Sequence, residues 1–339
     1  MVRNIQIADA ANGPSLWLGG KVARAALELT TRGRLSVLIF HRVLPKADEL
    51  LPDEPTATQF EKLMRWVQKL FNVIPLAEGI EGIKSNKLPS RALAITFDDG
   101  YANNATIAAP ILTRLGLPAT FFIATAYLDG GRMFNDTVIE AVRQCTDSEL
   151  DLVGLGLETY PLRTTQEKRA AIAGILRSLK YRPVEERTQT AESIALRTVA
   201  TLPNDLMMSS EQAAALGRGG HTVGGHTARH PILTTLSDQD ATSEITDGRR
   251  RLEEIAECRV SLFAYPNGRP GVDYDRRHVA LVRELGFAGA VSTSPGAART
   301  NSNPYEIPRF TPWTRRPHRF TALMAANASI GKPNYAELT

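Results

Sequence analysis

The 339-residue sequence predicts an α/β barrel of TIM type, irregular or not fully closed. Three observations predict it. Apolar runs, polar turns and helical patterns recur in that order along most of the chain, which is the signature of βα units. Several of the apolar runs are nearly unbroken, as strands covered on both faces are. Seven or eight such units fit one elaborated domain, since α/β barrels run to about 200–250 residues before insertions.

Residues 1–34 read as an N-terminal extension. Leu35 to Phe40 (LSVLIF) is the first strand, and Phe60, Leu63, Met64, Val67 and Leu70 then recur at helical spacing. Asn72 to Leu76 reads as a second strand and Ala92 to Phe97 (ALAITF) as a third, broken at Asp98-Asp99-Gly100. A helix up to Leu115 is stopped by Gly116 and Pro118, and Ala119 to Ala124 follows as a strand, completing a right-handed βαβ unit. The rhythm lapses at about 129–205, where Asp136 to Arg143 and Gln166 to Leu179 look helical and no strand stands out; this is an insertion capping one end of the barrel. It resumes with a helix around Glu211 to Leu216, a short strand into Gly224 and a helix opened by Ser237. Strands follow at Val260 to Tyr265 and Ala288 to Thr293, with the helix Arg276 to Leu285 between them. Glu306 to Phe310 is a last, edge strand, so the barrel spans 35–312 and 313–339 are a C-terminal tail.

Composition narrows the function. Apolar residues make up 43% and charged residues 22%, enough to bury a large core. The formal charge is only +4, with basic and acidic residues interleaved, which argues against a nucleic-acid partner. The densest basic run, Arg315, Arg316, His318 and Arg319, reads as a solvated surface. Cys145 and Cys258 are too few for a disulfide framework or a thiolate zinc site. With no signal-peptide pattern and no spanning apolar run, a cytoplasmic location is expected, with peripheral membrane contact through the amphipathic stretch Leu16 to Leu29.

Reactive groups in such barrels sit at the C-terminal ends of strands and in the loops after them. Thr96-Phe97-Asp98-Asp99-Gly100-Tyr101 puts two adjacent carboxylates at a strand end. Their closeness costs free energy unless a cation or protons separate them, although Asp-Gly is also a plain turn signal. His226-Thr227-Ala228-Arg229-His230-Pro231 spaces two imidazoles four apart, and the flanking Gly225 and Pro231 favour a tight turn over a helix. A His pair with carboxylate support suits zinc or a similar divalent ion; taken alone, the segment is equally consistent with structural histidines. His41 ends the first strand, and His221, before the glycine turn, reads as a bystander.

Together these segments resemble the polysaccharide deacetylase family, the NodB-homology or carbohydrate esterase family 4 fold. The resemblance runs from about Ser36 to Phe310 and is most specific at TFDDGY (Thr96–Tyr101) and HTARHP (His226–Pro231). It implies a distorted (β/α)7-type barrel with a helical insertion, and removal of N-acetyl groups from amino sugars of a polysaccharide or lipid-linked glycan. It further implies a divalent metal, Zn2+ by preference, held by Asp99, His226 and His230, with Asp98 as general base.

The chain departs from the family pattern in two places. Many members carry an Arg in the motif that reads Phe263-Ala264-Tyr265-Pro266-Asn267-Gly268 here, so Ala264 fills that slot and Arg309 is the candidate to orient Asp98. A late Leu-x-His motif that usually supplies the general acid is missing. The chain has LIFH near its start instead, resembling the circularly permuted branch that acts on poly-N-acetylglucosamine-type exopolysaccharides. Sorting the six histidines by position assigns the acid to His41, expected as a buried imidazole, because His278 opens a charged helical segment and His318 lies in the basic tail. The insertion is expected to shape substrate choice, with Trp313 a packing residue or a sugar-stacking face. Two other functions stay open: a peptidoglycan, chitin-oligomer or small-amide deacylase of the same fold, and a catalytically inactive glycan-binding protein.

Overall fold

The computed structural model describes residues 24, 25, 27–311, 314, 316–331 and 333–336. Six parallel strands pair in the order β1 (Arg34–Phe40), β3 (Ala92–Phe97), β4 (Thr120–Ile123), β7 (Thr222–Gly225), β8 (Leu262–Ala264) and β9 (Gly289–Val291). The segment expected as an edge strand instead lies between β9 and β1 as a seventh stave: Ile307 bridges Val291, and Phe310 bridges Leu38. It is not a continuous strand because Pro308 has no N–H to donate, while the Arg309 N–H turns to Ser294 O at 2.9 Å. The result is a distorted (β/α)7-type barrel.

Two short strands decorate the ring. The expected second strand shrinks to β2 (Asn72–Val73) along the start of β3, since the helix Leu76–Ser85 begins three residues later. β10 (Ala298–Arg299) runs antiparallel to the start of β1. Among the described residues no helix is long and apolar enough to cross a membrane.

Strand parity sorts the side chains into two layers. Leu38, Phe40, Ile95, Phe97, Phe121, Ile123 and Phe263 face the outer core, where Phe40 and Phe97 pack on Phe60 of α1 (Ala57–Leu70) and Phe263 on Phe287; α1 opens with a Thr56–Gln59 capping box. Val37, Ala94, Phe122, Ala264, Val291 and Ile307, one from almost every stave, form the inner layer, closed below by Leu76, Ile80 and Ile83 of α2 (Leu76–Ser85). His41 shares the parity of Val37, Asp98 that of Ala94, His226 that of Gly224, and Arg309 that of Ile307. All four therefore reach the C-terminal rim with the inner-face parity.

β3 runs into α3 (Ala109–Arg114) through a π-helical turn at Asn104–Ala108. The insertion then contains α4 (Phe134–Gln144), α5 (Thr165–Leu179) and α6 (Val184–Arg197). It also holds an antiparallel hairpin, β5 (Glu149–Asp151) with β6 (Thr159–Pro161), against the expectation of no strand. Three-residue strands are too short to show a period in sequence. Val138, Val142, Leu150, Tyr160, Ile175 and Ile194 give the insertion its own core. The remaining layer helices include α7 (Ser210–Arg218) and α8 (Asp238–Ala256), the latter capped by Ser237.

Candidate functional site

The β1–β3 register decides where the two carboxylates go. Phe40 pairs with Phe97, and the Asp98 N–H continues that ladder to Phe40 O at 2.9 Å. Asp98 and His41 thus leave the rim side by side. The next residue, Asp99, sits in the left-handed region at φ 76°, followed by Gly100 at φ 92°. A Cβ on Gly100 would come within 2.9 Å of Ile123 Cγ2, so the turn that brings both aspartates to one rim requires glycine there.

Beyond β7, His226 donates from Nδ1 to Ala264 O at 2.7 Å. With that proton on Nδ1, Nε2 is the nitrogen left beside Asp99 to take either an ion or a second proton. The slot whose side chain is lost in this sequence thus holds a ligand through its carbonyl. Thr227 and His230 both take left-handed backbone, at φ 64° and 52°, and the chain turns rather than coils. His230 Nε2 and His226 Nε2 each lie 3.4 Å from Asp99 Oδ1, and one ligand atom from each of the three residues lies within 4.8 Å of the others.

That spacing fits a metal. Ligands about 2.0–2.1 Å from a tetrahedral zinc stand about 3.4 Å from one another. All three residues are at least nine-tenths buried. Burial pushes the Asp99 carboxyl up, but the two imidazoles more than reverse this and hold it far below the usual carboxylate range. Burial pushes His230 down, with help from the charge of His226, to about 3, so it stays neutral as a ligand must. For His226 the partnership with Asp99 outweighs burial and raises its pKa.

Arg309 meets Asp98 as a fork, Nη1 to Oδ1 at 2.6 Å and Nη2 to Oδ2 at 2.7 Å. Its own position is fixed by Ser292 O at 2.9 Å and Thr96 Oγ1 at 3.2 Å. Burial alone would raise the pKa of Asp98; Arg309, with His226, pulls it below the ordinary value. A buried carboxylate is thereby kept ionised.

A cavity of about 380 Å³ lies over these groups, bordered by His41, Asp98, Asp99, His226 and His230. The structure therefore brings His41, Asp98, Asp99, His226 and His230 together, with Arg309 beneath. His41 differs from expectation in being exposed, because it stands just past the strand end. His221 sits apart at the start of β7, bonded to Thr113 Oγ1 at 3.1 Å and packed against Phe121. His278 joins the capping of α9 (Arg276–Glu284), and Trp313 and Arg315 lie outside the described residues, as does most of Leu16 to Leu29.

Sequence reasoning missed the wall supplied by the insertion. Asp136 of α4 is 1% exposed, accepts from Tyr101 Oη at 3.2 Å and lies 3.5 Å from Arg42 Nη1. Burial lifts its pKa to about 7 despite Arg42. Arg187 of α6 also borders the cavity. The available signal was a carboxylate on the apolar face of α4, three residues before Ile139.

The sequence profile of a family described as polysaccharide deacetylase matches residues 85–172 and 187–290. YxkH of Bacillus subtilis strain 168, placed by name among the polysaccharide deacetylases, is 20% identical over 278 residues, covering 81% of this chain and 70% of that protein. Among solved structures, the Streptococcus pyogenes deacetylase PplD in complex with acetate superposes with a TM-score of 0.59 at 16% identity, covering 86% of this chain and 98% of that one. IcaB from Ammonifex degensii gives 0.55 at 17% identity, covering 88% and 97%. At these identities the two structures speak for the fold.

Proposed function

The chain belongs to the polysaccharide deacetylase family, and from that premise we propose that it uses one divalent metal, zinc by preference, to remove N-acetyl groups from the amino sugars of a polysaccharide or lipid-linked glycan. Membership makes it a hydrolase with acetylated glycans as its substrate class. One observation supports the finer reading above the rest: Asp98, gripped at both oxygens by Arg309, is adjacent in sequence to the Asp99, His226 and His230 cluster.

Asp99, His226 and His230 would hold the metal, which when bound polarises the acetyl carbonyl and lowers the pKa of water. Asp98, ionised and aimed by Arg309, takes the proton that water loses as its oxygen attacks the carbonyl carbon. The Tyr101 backbone N–H is the protein donor assigned to the oxyanion. His41 gives a proton to the amine nitrogen as the C–N bond breaks. Without that proton the amine is a poor leaving group.

Acetate release from defined N-acetylglucosamine oligomers tests the reading. Chelator-treated protein is expected to be inactive and to recover when zinc is restored. A zinc-loaded protein that releases no acetate from these, from chitin oligomers or from peptidoglycan fragments would refute it.

The role of His41 has its own test. His41→Ala is expected to keep its metal and lose about a hundredfold or more on amides, within the usual range for an acid catalyst, while an activated acetate ester is largely spared. Equal losses on amide and ester would remove His41 from the acid role.

A further inference from the structure

We propose that Arg187 is a positioning residue for the metal ligand His230, so that the insertion braces the metal centre as well as walling the cavity; this rests on the metal reading above. Arg187 is carried in by α6 and is 2% exposed. Its Nη2 donates to His230 O at 2.7 Å and, less closely, to Arg229 O at 3.4 Å. Its guanidinium lies 4.6 Å from the centre of the Phe134 ring, and its buried Nε has no hydrogen-bond partner. Among the described residues no carboxylate comes within ion-pair distance of it.

A buried guanidinium without a carboxylate partner is costly, and the natural remedy would be an acid nearby. Here Glu244 and Glu185 act on it only from a distance, and its close partners are Tyr127 and the carbonyl groups of the ligand loop. His230 needs that support because its backbone occupies the left-handed region, which a non-glycine residue holds only when its surroundings fix it. Its N–H is fixed to Thr227 Oγ1 at 3.0 Å, and its carbonyl is fixed by Arg187.

The opposite side of the loop is held by α8. Glu244 Oε2 accepts from the N–H groups of Ala228 at 3.2 Å and Arg229 at 2.8 Å. Gly248 lets that helix approach so closely that a Cβ would stand 2.5 Å from the Thr227 carbonyl carbon. The ligand loop is therefore gripped between a helix of the barrel and a helix of the insertion. On the insertion side the grip on His230 itself is Arg187, since the other link, Glu185 to Arg229 at 2.6 Å, is between exposed side chains.

Arg187→Met keeps the long stem over Phe134 and removes the donors. Zinc affinity, measured by chelator competition, is expected to fall about tenfold to a hundredfold, the range for losing a partner behind a metal ligand. The visible spectrum of the cobalt-loaded protein is expected to change with it, reporting displaced ligand geometry rather than general destabilisation. Glu185→Gln, which loosens the helix but leaves the His230 carbonyl bonded, is expected to keep wild-type affinity. A folded Arg187→Met protein with zinc affinity within about twofold of wild type and an unaltered cobalt spectrum overturns the proposal. An equal loss in Glu185→Gln also overturns it, assigning the effect to helix docking. Should the Met variant fail to fold, Arg187→Gln decides by the same criteria. A wild-type protein that binds neither metal would instead refute the metal reading itself.

Discussion

Replacing His226 with alanine is expected to take the protein from one bound divalent ion per chain to none detectable, and Asp99→Ala and His230→Ala are expected to do the same. Each removal leaves two ligands where a catalytic zinc site keeps three protein groups and one open position. His226 has the further distinction that its Nδ1 is anchored to Ala264 O, so its Nε2 is aimed before any ion arrives. His221→Ala supplies the contrast. That ring is bonded to Thr113 at the start of β7, away from the cluster, and its loss should leave metal content unchanged. Zinc content of the purified variants decides the matter: a full complement in His226→Ala would refute the ligand set.

The parts of this site that were legible in the sequence are those where one short segment carries both the strand and the chemistry. ALAITF followed by Asp98-Asp99-Gly100, and the pair His226 and His230 between Gly225 and Pro231, announce a strand end and its reactive group together. Arg309 was reached by asking what replaced the arginine missing at Ala264, and the structure places its guanidinium on Asp98 from the seventh stave. That stave read as an edge strand because Pro308 and isolated bridging give no local sign of neighbours on both sides. Arg187 was illegible for a different reason, and Asp136 showed only as a carboxylate on an apolar helix face. Both come from helices of the insertion, and their meeting with Tyr101 and with His230 is set by tertiary packing that no local period encodes. His41 was assigned to this rim from its place at the end of a parallel strand, but that place says nothing of solvent, and its exposure had to be seen.

Asp98→Asn is expected to retain metal yet lose about a hundredfold or more in acetate release, as is usual when a general base is removed. Metal should be kept because the Asp98 oxygens are occupied by Arg309, whereas the carboxylate near both Nε2 atoms belongs to Asp99. Turnover should be lost because the amide cannot accept a proton from water, and its NH2 would oppose one arm of the Arg309 fork, turning an attraction into a donor–donor clash. The same geometry gives a pH signature for Arg309→Met. Burial raises the pKa of Asp98, and Arg309 is the largest influence opposing it, so removing the guanidinium lets the pKa climb. A base works only when ionised, so the acidic limb of kcat/KM, where activity falls as pH drops through that pKa, should move to higher pH in Arg309→Met. An unmoved limb would mean that Arg309 holds the stave and not the base. Substantial acetate release by Asp98→Asn, with loss of metal in the same protein, would exchange the roles of the two aspartates.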